Sequence, residues 1–301
     1  MTVIANGHTL HVFGNQSSTP HANATASLQA WEGDIVIGGK LDVEALASSL
    51  NHDSVTARAL AGLRAAGGIA IDGSVNVIAN VVTDATHHFY PTASGARASA
   101  GLIIDARGGA VDLGALAVRA SAVDRGNFQA QAYANADISA WDSVTIHGNA
   151  AVTAVALQTN ANGGFEANGS AIANLAIFAG FGDVTVDGNI DVEARVSDHG
   201  KGNAVASALL DVLAGGAEGG GGIRVGDVTV NALADNWGGG RAIARALATF
   251  DASFGSVQAG NIALTANAHN FSGGGACSAE AASASAELTF APRAMARAAI
   301  I

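Results

Sequence analysis

The sequence predicts an all-β fold: a parallel β-solenoid (β-helix) of about eight coils averaging 37 residues, with variable loops along one edge. Three observations predict it. A phrase of the form apolar-x-apolar-x-Gly-x-apolar-x-apolar recurs along the chain. A second phrase, built on Ala-x-Ala-x-Leu, recurs between its copies. A polar stretch of changing length separates the two.

The first phrase starts at Ile35, Ile69, Val111, Val144, Val184, Ile223 and Val257, as in "IVIGGKLDVEALAS", "IAIDGSVNVIANVV", "VTIHGNAAVTAVAL" and "VTVDGNIDVEARVSD". Successive spacings are 34, 42, 33, 40, 39 and 34 residues, and one further unit precedes Ile35. Its period of two marks a strand. In "VDLGALAVRA", "IRVGDVTVNA" and "VQAGNIALTA" one residue is missing at the Gly. In a flat strand that deletion would turn every later side chain over, so the Gly belongs at a bend.

The second phrase reads "TASLQAWEGDIVI", "ISAWDSVTI", "LAIFAGFGDVTV" and "ATFDASFGSVQA". Alanine favours helices, and "AVASALLDVL" alone could be drawn as one. The alternation of Ala242, Ala244, Ala246 and Ala248 with Ile243, Arg245, Leu247 and Thr249 decides for strand. An Ala column gains its stability by stacking on Ala one coil away. The polar stretches, among them "SSLNHDS", "TDATHHFYPTASG", "QTNANGGFEANG", "SDHGKGN" and "DNWGGG", have turn compositions. Insertions collected at one place in each unit predict loops along one edge. With strands about 4.8 Å apart, eight coils make a rod about 40 Å long. Residues 1–290 form one domain in this reading, and 291–301 a C-terminal tail acting as cap, docking or export segment.

Composition removes several function classes. The net charge is −11 and Lys40 and Lys201 are the only lysines, a poor basis for neutralising phosphates or an anionic membrane surface. Nucleic acid and membrane insertion are therefore not expected, since apolar runs are broken well short of the ~20 residues a spanning helix needs. Cys277 is the single cysteine, so neither an internal disulfide nor a Cys-based zinc site is expected. The start, "MTVIANGHTLHVFGNQ", lacks the basic and apolar regions of a cleaved signal peptide.

The "VTVDGNIDV"-type turns and Ala/Gly/Asn-rich strands resemble the β-helical repeat regions of large bacterial surface proteins, such as filamentous haemagglutinin-like adhesins and autotransporter passengers. The likeness covers nearly the whole chain and is one of pattern, so no functional residue carries over from it. It implies an extracellular or cell-surface location. Such adhesins usually carry a signal peptide and have shorter coils. The start of this chain looks more like type I-secreted proteins, for which "ELTFAPRAMARAAII" would be the uncleaved export segment.

The outward anchor positions are Val36, Ala70, Asp112, Thr145, Thr185, Arg224 and Gln258. No carboxylate pair recurs there for a β-helical polysaccharide enzyme, so turn capping is the expected role of Asp72 and Asp187. An ice-binding ladder is begun by Thr145 and Thr185 and interrupted by Asp112 and Arg224. His52, His87, His88, His199 and His269 fall in variable loops, where solvation is the expectation and metal binding the alternative. "GGGGIRVGDV" approaches the calcium repeat once, with its Asp one place off. No cofactor is expected, and structural calcium is the alternative.

The sequence reading is thus a secreted structural protein that assembles end to end into an extracellular fibre, with copies of itself as partners. Its assembly residues are Val3, Ile4, Leu10 and Val12 in the first coil, and Leu288, Phe290, Ile300 and Ile301 at the other end. The alternatives are a monomeric adhesin binding surface polysaccharide through edge loops, and a polysaccharide-active enzyme.

Overall fold

A computed structural model describes residues 1–9, 20–49, 54–84, 95–126, 129–159, 168–215, 221–253, 255–271 and 282–291. Every regular element in them is a strand. The first coil contains β1 (Thr2–Thr9), β2 (His21–Ala30) and β3 (Ile35–Ile37). The second contains β4 (Leu41–Ser49), β5 (Val55–Ala65) and the start of β6 (Ile69–Thr83), which runs on into the third. The third adds β7 (Gly95–Ala106) and the start of β8 (Val111–Asp124). The fourth adds β9 (Gln129–Ala140) and β10 (Val144–Ile146). The fifth comprises β11 (Ala150–Gln158), β12 (Gly169–Ala179) and β13 (Val184–Val186), and the sixth β14 (Ile190–Asp198), β15 (Ala204–Ala214) and β16 (Ile223–Val225). The seventh holds β17 (Val228–Asn236), β18 (Ala242–Ala252) and β19 (Val257–Ala259). The last holds β20 (Ile262–Asn270) and β21 (Ser283–Phe290).

All neighbouring strands pair in parallel, each with its counterpart one coil away. This is a β-solenoid. The second strands of the coils form one sheet, in the order β2-β5-β7-β9-β12-β15-β18-β21. The first and third strands share the other, thirteen-stranded sheet. The seven anchors stand in a single column, Ile35 on Ile69, Val111, Val144, Val184, Ile223 and Val257. They span six full turns, and partial coils at each end bring the smaller sheet to eight strands.

Register explains the composition. In the smaller sheet, Ala22, Ala57, Ala98, Ala132, Ala171, Ala206, Ala244 and Ala284 form an unbroken inward column. Opposite it run Val43, Val77, Val118, Val152, Val192 and Val230, beside Ala45, Ala79, Ala120, Ala154, Ala194 and Ala232. Except for Ala284 in the last strand, these positions are almost completely buried, so two sheets of small and β-branched side chains close on each other with little room for aromatics. Larger residues fill one row, Leu63, Ile104, Ile138, Ile177, Val212 and Phe250.

The bend lies at the expected glycine. A Cβ on Gly114 would stand 2.6 Å from the Gly73 carbonyl oxygen, and one on Gly148 would stand 2.8 Å from that of Gly114. The corner backbones stack too closely for any side chain. Where β6 passes the bend, its register against β8 shifts between Ile71 and Ser74. Beside this column, side chains tie each coil to the next. Asn149 Oδ1 accepts from the Asn189 amide at 2.9 Å, and Asp227 Oδ1 from the Asn261 amide at 2.7 Å. At the turn before the anchor, Asp34 and Asp183 accept from Gly68 and Gly222 at 2.7 and 2.6 Å.

Candidate functional site

The variable stretches lie between the long strand of the larger sheet and the strand of the smaller one. Just before them the inward position turns polar: Ser49, Thr83, Asp124, Gln158, Asp198 and Asn236 are all buried. These side chains hold the loop starts. The Gly200 amide donates to both Asp198 Oδ1 (2.7 Å) and Gln158 Oε1 (3.0 Å), and the Gly169 amide to Asp198 Oδ2 (3.1 Å). Asn236 repeats the arrangement, accepting from Gly238 at 2.9 Å and donating to the Gly202 carbonyl at 2.7 Å. Burial pushes the Asp198 carboxyl up to about 6, against the lowering effect of the Gly200 and Gly169 hydrogen bonds. Sequence reasoning missed this column; its signal was a polar residue closing each otherwise apolar inward row.

One step further out, aromatic rings stack from coil to coil. Trp237 lies 3.9 Å from Phe271 and 5.5 Å from His199 between ring centroids, with planes 14° and 7° apart. Of the histidines considered above for a metal, His199 belongs to this stack, whereas His269 lies within β20 and not in a loop, its ring 5.8 Å from Phe271 and tilted by 44°. His269 Nδ1 also meets Asp235 Oδ1 at 2.8 Å. His52, His87 and His88 lie outside the described residues. Among the described residues, no three His, Cys, Asp or Glu side chains converge on a common metal position.

The outward anchor positions are exposed or half-buried, as the alternation requires. They gather a charge cluster that the sequence reading overlooked. His147 Nε2 faces Asp112 Oδ1 at 3.0 Å and His147 Nδ1 faces Asp187 Oδ2 at 3.2 Å. Arg224 stands 3.9 Å from the other Asp187 oxygen. Three successive coils thus meet through one imidazole, with all four side chains open to solvent. Asp187 was expected to cap a turn; its carboxylate instead faces the His147 imidazole and the Arg224 guanidinium, while Asn149, Asn189 and Asp227 cap the corner. On the smaller sheet's outer face, burial and then the Asp251 charge raise the Asp211 carboxyl, and Asp251 Oδ1 is buried without a hydrogen bond.

Among the described residues there is also an open groove of about 470 Å³ where the smaller sheet turns toward the anchor. Trp141 and Phe181 flank it with ring centroids 4.6 Å apart, and Phe178, Asp105, Arg107 and Ser139 complete its wall.

No family model, characterised protein or solved structure matches this chain.

The ends differ. In β21, Leu288 and Phe290 occupy inward columns, above Ala248 and Phe250, yet are 42% and 48% exposed. Phe290 stacks on Phe250 at 5.7 Å. At the opposite end β1 and β2 are edge strands; Ile4 is 56% exposed, whereas Ala22, Ala24 and Ala26 are already buried. Val3 pairs with Val43 in the β1–β4 ladder. Leu10, Val12, Ile300 and Ile301 lie outside the described residues.

Proposed function

We propose that this chain is a secreted structural protein whose solenoids stack head to tail into an extracellular fibre. The observation that carries the reading is the continuity of the inward columns. The exposed row of β21 is Ala284, Ala286, Leu288 and Phe290, and the inward row of β2 is Ala22, Ala24, Ala26 and Leu28. Laying β21 beside β2 would set Ala on Ala twice and Phe290 on Leu28, and would pair two strand edges that otherwise promote uncontrolled association. The ends are unlike, so the contact is heterologous and grows rather than closes. In this reading the chain works as a scaffold and carries out no reaction.

Sedimentation velocity and negative-stain microscopy of purified protein test the reading. Wild-type protein should form unbranched rods many times the length of one subunit. Phe290→Lys should sediment as a monomer with an unchanged β-type circular dichroism spectrum. Wild-type protein that stays monomeric at high concentration would leave the adhesin reading in its place.

A further inference from the structure

We propose that the groove beside Trp141 is a binding site for neutral glycans, taking a pyranose ring against the Trp141 indole with the Phe181 ring, tilted by 49°, beside it. This inference does not rest on the fibre reading, because the groove lies on the side of the rod, within the third to fifth coils.

The groove exists because of how one column changes along the rod. The residue following the Ala106, Ala140 and Ala179 row is Arg107 in one coil, Trp141 in the next and Gly180 in the third, their amides donating to Ala65, Ala106 and Ala140 carbonyls. Gly180 approaches the coil below too closely for a side chain, since a Cβ there would stand 2.8 Å from the Trp141 carbonyl oxygen. The groove opens beside Gly180, Ala140 and Trp141. Phe181, whose amide donates to the Trp141 carbonyl at 2.9 Å, and Phe178, outward at the end of β12, stand on either side of that space. Three aromatic residues meeting there, each 41–56% exposed, are costly in a chain with only 5% aromatic residues. Exposed apolar surface concentrated in this way marks a binding surface.

The polar groups of the wall define the ligand's chemistry. Asp105 and Ser139 stack outward in register on β7 and β9, with Phe178 next in the same column. Arg107 Nε donates to Asp105 Oδ2 at 3.0 Å, which leaves Asp105 Oδ1 and the terminal guanidinium nitrogens for other partners. Acceptor and donor therefore sit side by side with no net charge. A pyranose matches this: its C–H face is apolar and suits a ring platform, while its equatorial hydroxyls both donate and accept. An anionic sugar would meet Asp105 and the −11 charge of the chain. The groove is open to solvent, and like other ligand sites it pairs a mostly apolar lining with a few polar groups.

Affinity electrophoresis in native gels containing laminarin, dextran or galactomannan is the test, with alginate as the anionic control. Wild-type protein should be retarded by at least one neutral polymer. Trp141→Ala and Phe181→Ala should lose at least tenfold in affinity while keeping the wild-type circular dichroism spectrum. Asp105→Asn should weaken binding at unchanged fold. Binding should persist in Phe290→Lys, which separates this result from the assembly test. Absence of retardation by every neutral polymer overturns the proposal. So does retardation that survives Trp141→Ala, or retardation by alginate alone.

Discussion

Burial keeps the Asp198 carboxyl protonated to a higher pH than an exposed aspartate, up to about 6 against 3.8. An acid whose pKa is raised by folding destabilises the native state when ionised. That penalty is absent below about pH 4, grows between there and pH 6, and is fully present at neutrality. The separation corresponds to roughly 3 kcal/mol at most. Asp198→Asn should therefore raise the melting temperature at pH 7 and narrow the gap to wild type at pH 4.5, as read by thermal circular dichroism at both pH values. Asn is the native choice one coil on, at Asn236, but at 198 it gives up the Oδ2 acceptor of the Gly169 amide, a constant cost at both pH values, so the pH dependence of the difference from wild type is the readout. The alternation of faces gives a second test at this scale. Ala206 and Ala244 are completely buried while Ser207 and Arg245 point outward. Ala244→Asp should cost several kcal/mol or prevent folding, because an unpaired charge enters a dry column. Arg245→Asp should stay within about 0.5 kcal/mol of wild type in a urea titration.

Among the elements, the glycine corner sets the coil's shape and the loop edge sets its variety. Gly148 lies against the Gly114 carbonyl, whereas a Cβ on Gly39, in the first coil, would meet nothing within 4 Å. Gly148→Ala should lose about 1–3 kcal/mol by overpacking and Gly39→Ala should be neutral; equal effects in chemical denaturation would mean that the corners do not stack. Much of this was legible in the sequence, because a parallel solenoid repeats the same environment in every coil. The seven anchors, their bend and the inward alanines each recur, and recurrence survives the irregular spacings. The candidate sites were less legible because each occurs once. His147 carries no signal of its own within "VTIHGN"; Asp112 and Asp187, 35 residues before it and 40 after, stand on either side of it only once the coils stack. The groove could not be read from "ISAWDS" alone, since its wall is completed by Asp105 and Arg107 one coil before and by Phe178 and Phe181 one coil after. The polar closing column was hidden for the opposite reason. Ser49, Thr83, Asp124, Gln158, Asp198 and Asn236 share a place but not a residue type.

At the scale of the molecule, each coil is held by its neighbours alone, so stability is close to a sum over coil-to-coil interfaces. The hydrogen-bond ladders that make those interfaces all run from coil to coil, along the axis of the rod. Covalent bonds run around it. A subunit pulled lengthwise is therefore loaded through its ladders in series, and it should yield from an end, one coil at a time. Each coil of 33 to 42 residues would release a thread of about 110 to 150 Å when fully extended. Single-molecule force spectroscopy with handles at residues 21 and 290 should accordingly record a staircase of extensions in that range, in place of one long rupture. Such a rod dissipates work at each step and re-forms its coils when the load falls, behaving as a molecular shock absorber.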